Sequence, residues 1–291
     1  VIVHALFLYP VKSCAGIAVD DARVEADGLR FDRRWMVVDS RGEFLTQREH
    51  PRMALIRPEI REDTLHLSAA GTGDLVLPLD PTEGGEGIAT RVWGDPVDAR
   101  DGGDTAARWI SSALGWPSRL VGFPARAVRP TDPAYARGHR VAFQDGFPTL
   151  ALTVESMDEL NRRLPSPLSI RRFRPNLVVS RASPHAEDRW RRIRVGEVEM
   201  EAVKPCARCT VTTVDPESGL RGKEPLRTLA GYRSCGGKVF FGQNLVHLSS
   251  GRIRVGDPVT ILEEGPPRPG PTLAEDLELK GGRMDGATGP R

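Results

Sequence analysis

Between Lys204 and Gly219 the chain reads KPCARCTVTTVDPESG, which holds two of its four cysteines, Cys206 and Cys209, in Cys-x-x-Cys spacing. The residues just after the pair limit how the chain can be built. Thr210-Val211-Thr212-Thr213-Val214 is β-branched and alternating, a pattern that predicts a strand. The cysteines are therefore expected at a loop-to-strand junction, not at the start of a helix. Lys204 and Arg208 flank them. A cation beside a thiol favours the thiolate, the form that attacks electrophiles and binds soft metals.

Short strand-like runs bounded by turn residues continue over most of the sequence. They include residues 2–9, 34–38, 64–68, 75–79, 88–93, 97–100, 119–123, 149–152, 177–180, 193–195, 198–203, 240–248 and 252–262. Asp39-Ser40-Arg41-Gly42 reads as a hairpin turn with residues 44–47 as its return strand. Three helices stand out. One opens at Asp104 or Thr105 and is closed by Gly115, one runs over 155–164 behind Thr153 as N-cap, and a short one follows Pro225. The balance predicts a β-rich α+β fold with a few short helices. Residues 80–87 read as a flexible loop. Residues 124–140 read as a polar surface loop or lid, and the first domain is expected to end at 123. The Pro- and Gly-rich end, 263–291, reads as a disordered tail.

Composition excludes several classes. A net charge of +2, from 41 basic and 39 acidic residues, gives no electrostatic case for nucleic acid or a membrane surface. Four cysteines in 291 residues do not make a disulfide scaffold. No signal peptide is recognisable, and no apolar run approaches the ~20 residues that span a bilayer. A cytosolic, cytoplasmic protein with reduced thiols is expected. Val1 in place of an initiator Met suggests that the native start lies elsewhere. Phosphate-binding glycine loops and His-Glu-x-x-His are missing from the sequence.

The cysteine pair admits four readings on its own residues. A thioredoxin-like dithiol normally opens a helix, which the β-branched run argues against. A zinc site needs Cys14 and Cys235 to join from far along the chain. Two inert buried thiols are the plain alternative. The remaining reading is one thiolate on a soft metal centre with an open position. Basic and polar groups recur at strand edges: Lys12-Ser13, Arg33-Arg34 and Arg174-Pro175-Asn176. Each alone reads as a solvated surface group; together they suit an anionic ligand. Asp145, in Gln144-Asp145-Gly146-Phe147-Pro148, reads as an Asx-turn residue or a proton relay.

Taken together, these residues resemble a known family. Tyr9-Pro10-Val11-Lys12-Ser13-Cys14 with Gly16, then Phe31-Asp32-Arg33-Arg34-Trp35, is similar to the N-terminal β-barrel domain of MOSC proteins. Phe173-Arg174-Pro175-Asn176, Cys206-Ala207-Arg208-Cys209, Thr212-Thr213-Val214-Asp215-Pro216, Phe241-Gly242-Gln243-Asn244 and Val255-Gly256-Asp257-Pro258-Val259 resemble the MOSC domain itself. The likeness spans roughly residues 2–262 and points to the amidoxime-reducing members. It implies an N-terminal β-barrel-like domain over 1–123 and a MOSC β-barrel domain over 124–262. It further implies a molybdenum cofactor, Mo-molybdopterin, with Cys209 as the single protein ligand. Lys12, Ser13, Arg33, Arg174, Asn176 and Arg208 would line the pterin and its phosphate, and Asp145 would be the catalytic proton source. The implied activity is an oxidoreductase that removes oxygen from N-hydroxylated substrates at molybdenum, fed by a separate electron-donor protein of flavin, ferredoxin or cytochrome type. Sulfur carriage or cofactor carriage without turnover is the alternative the same domain offers. The sequence departs from the family at Ala207, where relatives often carry serine, and at Gly146-Phe147, where eukaryotic members carry Thr-Ser. It also shows no ferredoxin-like cysteine cluster after 262 and no N-terminal membrane anchor.

Overall fold

The structure is a computed structural model that describes residues 1–81 and 85–268. Its largest element is a nine-stranded sheet. In spatial order the strands are Ile17–Val19, Ile2–Leu8, Leu177–Ser180, Thr149–Thr153, Lys238–His247, Val198–Ala207, Trp190–Val195 and Val259–Glu264, with Ser234–Cys235 added beside Lys238–His247. All pairings are antiparallel except Thr149–Thr153 with Leu177–Ser180. That parallel pair needs a crossover, supplied by helix Val154–Arg163. Thr153 caps this helix as expected, its side chain accepting from Ser156 N.

The sheet's core holds Leu6, Leu177, Val179, Trp190, Met200 and Leu245, all essentially inaccessible. Strand Ile2–Leu8 lies inside it, paired with Leu177–Ser180. Strand Asp21–Glu25 likewise pairs with Gly251–Arg254. The two ends of the sequence are thus stitched together. The segment between them forms a four-stranded sheet (Trp35–Val38, Arg119–Gly122, Asp95–Asp101, Gly87–Val92) and a three-stranded one (Arg57–Arg61, Thr64–Ser68, Leu75–Pro78). Helix Gly103–Leu114 seals them with Ala106, Ile110, Ala113 and Leu114.

The β-rich reading holds, and four local expectations change. Helix Gly103–Leu114 closes on Gly115 in the left-handed region, as expected, but begins earlier: Asp101 Oδ1 accepts from Gly103 N at 3.1 Å and serves the first turn. The return strand at 44–47 reduces to a bridge between Val38 and Phe44. Residues 124–140 are pinned rather than loose. Arg129–Pro130 pairs with Arg140–Val141, and buried Arg129 binds Asp95 at 2.7 Å. Residues 263–268 belong to the fold: strand Val259–Glu264 pairs with Trp190–Val195, and Arg268 N donates to Asp188 O at 2.9 Å. The rest of the expected tail, and residues 82–84 of the 80–87 loop, lie outside the described residues.

Candidate functional site

The cysteine pair straddles the end of a strand instead of preceding one. Strand Val198–Ala207 runs through Pro205 and Cys206, with register shifts on either side of Lys204 and Pro205 that let a proline sit in the ladder. Thr210–Thr213, expected as a strand, is a 3-10 turn. Its threonines explain the difference. Thr212 Oγ1 donates to Cys209 O at 3.0 Å and Thr213 Oγ1 to Thr210 O at 2.7 Å. Such local side-chain bonds offer the backbone an alternative to a ladder. Cys209 is left exposed at the bend, while Cys206 is half-buried on the strand.

A cleft of about 160 Å³ opens beside this bend. Every residue to which the family resemblance gave a role at the site lines it: Lys12, Ser13, Arg33, Asp145, Arg174, Asn176, Arg208 and Cys209. A second cavity of about 230 Å³ adjoins it and shares Arg172 and Arg174. Gly16 borders that second space; a β-carbon there would overlap the Tyr9 ring.

The loops that carry these groups are held in costly backbone conformations. Ser13, Arg33 and Arg174 have φ of 67°, 51° and 55°, in the left-handed region. Each costs about 1 kcal/mol or more for a residue with a β-carbon, and such strain gathers at functional sites. Hydrogen bonds fix them: Arg33 N donates to Tyr9 O at 2.8 Å, Gln47 Nε2 to Ser13 O at 2.6 Å, and Arg174 N to Arg171 O at 3.1 Å. Buried Asp32 accepts from Tyr9 N at 2.9 Å, from Arg33 Nη1 at 2.5 Å and from Asn176 Nδ2 at 3.1 Å. It thereby neutralises Arg33 and orients Asn176.

Arg174 and Arg208 are different. Arg174 Nη1 donates to Cys14 O at 2.6 Å, and Arg208 donates to Phe241 O at 2.7 Å and Phe173 O at 3.1 Å. The Nη2 atom of each is buried without a partner. Neither guanidinium has a carboxylate partner among the described residues. Burial, then the Arg33 charge, brings the Arg174 guanidinium down to about 10. Uncompensated positive charge beside buried, unpartnered N–H donors is chemistry that suits an anion. Gly242, with φ of 81°, lets the backbone pass close to Arg208; a β-carbon would press on Ala151 O and on Arg208 Nη2.

Lys12 is buried and donates to Phe143 O at 2.8 Å and Asp145 Oδ1 at 2.5 Å. Burial lowers its ammonium below the ordinary lysine value against the pull of Asp145. Crowding around its Lys12-facing oxygen raises Asp145, but attraction to Lys12 and hydrogen bonds from Lys12 and Trp93 outweigh it and hold the largely exposed carboxyl well below its usual range. The pair is therefore Lys⁺ with carboxylate. Asp145 is not an Asx-turn residue: its carboxylate serves Lys12 and Trp93 instead of its own backbone.

The thiols are unequal. Burial pushes Cys206 up despite Arg208, so the expected help from a flanking cation fails there; the Arg208 guanidinium is directed to carbonyl oxygens. Cys14 is buried in the core and pushed up to about 12, and it is its carbonyl that serves Arg174. Among the described residues no three His, Cys, Asp or Glu side chains are grouped to hold a metal by themselves. A metal at Cys209 would need its other ligands from a bound group.

Some contributors escaped the sequence reading. Arg129 Nη1 and Nη2 donate to Ala142 O and Asp145 O, both at 3.1 Å, and brace the segment that carries Asp145. Arg48 lines the cleft as well, beside Phe147 and Asn244, both of which the family resemblance had already named. Arg34, grouped with Arg33 in the sequence, instead pairs with Asp27 and Asp80. No local signal marked Arg129 or Arg48, since both act across long sequence separations.

Two family models match the chain: the MOSC N-terminal beta barrel domain over residues 1–117 and the MOSC domain over 138–260. The chain belongs to the MOSC family. Among its relatives, mitochondrial amidoxime-reducing component 1 of Mus musculus is 41% identical over 89% of this chain and 82% of that protein. Component 1 of Homo sapiens is 40% identical with the same coverage. Component 2 of Bos taurus is 38% identical over 88% of this chain and 82% of its own length. These names overturn the cytoplasmic expectation, which rested on cysteine usage and on the lack of a recognisable signal peptide or apolar span: the relatives are mitochondrial proteins by name. Among the described residues no helix is long and apolar enough to cross a membrane.

Proposed function

We propose that this MOSC protein is a molybdenum cofactor-dependent reductase of N-hydroxylated compounds: amidoximes, hydroxylamines and N-hydroxylated bases. The observation that carries the reading is one cleft that joins an exposed thiol, Cys209, to two half-buried guanidinium groups, Arg174 and Arg208, whose Nη2 atoms are buried without partners. A forked cation suits a phosphate, and a lone thiolate suits a soft metal whose other ligands come from a dithiolene. Molybdopterin combines both. The chain's likeness to the amidoxime-reducing components supports the same reading independently.

In this reading Cys209 is the metal ligand. Lys12, Ser13, Arg33, Arg174, Asn176 and Arg208 hold the pterin and its phosphate, and both expected units, 1–123 and 124–262, supply residues to the cleft. When bound, the molybdenum centre supplies oxygen-atom abstraction from an N–OH group. The net reaction converts an amidoxime, two electrons and two protons to an amidine and water. The electrons come from a separate donor protein. Protons reach the site through the Lys12–Asp145 pair. Lys12 Nζ donates to Asp145 Oδ1, so a proton drawn from Asp145 can be replaced from Lys12. The remaining groups orient substrate and complement charge.

The test uses protein made in a host that synthesises the cofactor, with reduced viologen as one-electron donor and benzamidoxime as substrate. Chromatography should show benzamidine, and Cys209→Ser should abolish it. Cofactor-loaded protein that forms no benzamidine, but binds molybdopterin, would instead be a carrier.

A further inference from the structure

Trp93 stands where a smaller residue fits better. With Gly94 it forms the turn between strands Gly87–Val92 and Asp95–Asp101, where Asp95 pairs with Val92, and its φ is 56°. Tight hairpin turns favour glycine or asparagine at such positions because a β-carbon is disfavoured there. Burial does not compensate for it, since the residue is 48% exposed. The ring is nevertheless held in place. It meets Phe44 edge-on at 5.1 Å, the Arg48 guanidinium lies 4.5 Å from its centroid, and Nε1 donates to Asp145 Oδ1 at 3.2 Å.

Trp93 sits at the rim, against the cleft residues Arg48 and Asp145, while Phe147, two residues beyond Asp145, lines the cleft itself and packs edge-to-face on Tyr135 at 6.3 Å, with Lys204 Nζ 5.9 Å from its ring centre. The Asp145 side chain is 70% exposed. Lys12 and Trp93 occupy its Oδ1, and Oδ2 has no hydrogen-bond partner among the described residues. A fixed acceptor with an aromatic ring on each neighbouring segment suits a flat ligand that carries N–H donors.

We infer that Trp93, Asp145 Oδ2 and Phe147 form the substrate-recognition mouth of the cleft and select aryl amidoximes and related planar N-hydroxyamidines over small hydroxylamines. The inference rests on the reductase reading above. The amidoxime NH2 donates to Asp145 Oδ2 while the aryl group packs on the two rings. The same contacts receive the amidine product, whose N–H groups donate to Asp145 Oδ2 while its aryl group packs on the rings.

The experiment compares kcat/KM for benzamidoxime and hydroxylamine, with reduced viologen as donor, in the cofactor-loaded wild type, Trp93→Gly and Phe147→Leu. The ratio should fall about five- to tenfold in each variant, the size expected for one lost aromatic contact. A second measurement needs no turnover. Calorimetry should show wild type binding benzamidine about tenfold tighter than acetamidine, with the preference largely erased in the variants. Trp93→Gly puts glycine where the backbone favours it, and Phe147→Leu keeps an apolar side chain, so one variant remains informative if the other misfolds. Turnover of both substrates with unchanged ratios and an unchanged amidine preference overturns the inference and leaves the reductase reading standing. No turnover of either substrate by the loaded wild type overturns both.

Discussion

Lys12 Nζ meets Asp145 Oδ1 at 2.5 Å across 133 positions of sequence, and the contact ties together two segments that line the cleft. Because the Asp145 carboxyl titrates below its ordinary value of 3.8 in the folded state, its contribution to stability has a definite sign with pH. It is fully present above the unfolded value and is lost as pH falls through the folded one. Comparison of thermal midpoints for cofactor-free wild type and Asp145→Asn checks this. The wild type's advantage should be steady near about pH 6 and shrink below about pH 4. An advantage that grows on acidification contradicts the ion pair.

Arg174 should matter far more to the cofactor than to the fold. Its guanidinium is buried beside Arg33 without a carboxylate, so Arg174→Met removes a charge the cofactor-free protein does not compensate. Urea denaturation should show the cofactor-free variant at least as stable as the wild type, because replacing an uncompensated buried cation by an apolar side chain is neutral or stabilising by about 1–4 kcal/mol. Pterin content, read by fluorescence after oxidation, should fall tenfold or more, in keeping with about 1.5–3 kcal/mol for a charged hydrogen bond.

Leu245 lies at the centre of the large sheet, fully buried, with Thr149 on one neighbouring strand and Ala202 on the other. Leu245→Ala leaves a cavity that flanking strands cannot collapse around and should cost about 2–5 kcal/mol in urea denaturation. The strand also carries Asn244 at the cleft, so cofactor retention should weaken with stability.

Local features were legible where local chemistry decides them. Gly115 at the close of a helix and Thr153 at the start of another were readable from side-chain type and spacing. The run after Cys209 misled because threonine has two uses: its β-branching favours strands, while its hydroxyl can close a turn, and here the hydroxyl prevails. The pairing of Ile2–Leu8 with Leu177–Ser180 has no local signature, since partners so far apart are chosen by packing. The same division holds at the site. Motif likeness named the lining residues one by one. Their convergence, the Asp32 network behind Arg33, and the brace from Arg129 emerge only when distant segments meet. Trp93 was hidden because an isolated tryptophan in a turn carries no motif.

The central claim is that Cys209, and not Cys206, fixes a molybdenum cofactor in this cleft. Molybdenum analysis of protein from a cofactor-competent host, run in parallel on Cys209→Ser and Cys206→Ser, tests it most directly. The account predicts near-stoichiometric metal in the wild type, loss in Cys209→Ser and a much smaller effect in Cys206→Ser. A wild-type protein without molybdenum, or the reverse ranking of the two cysteines, would contradict it.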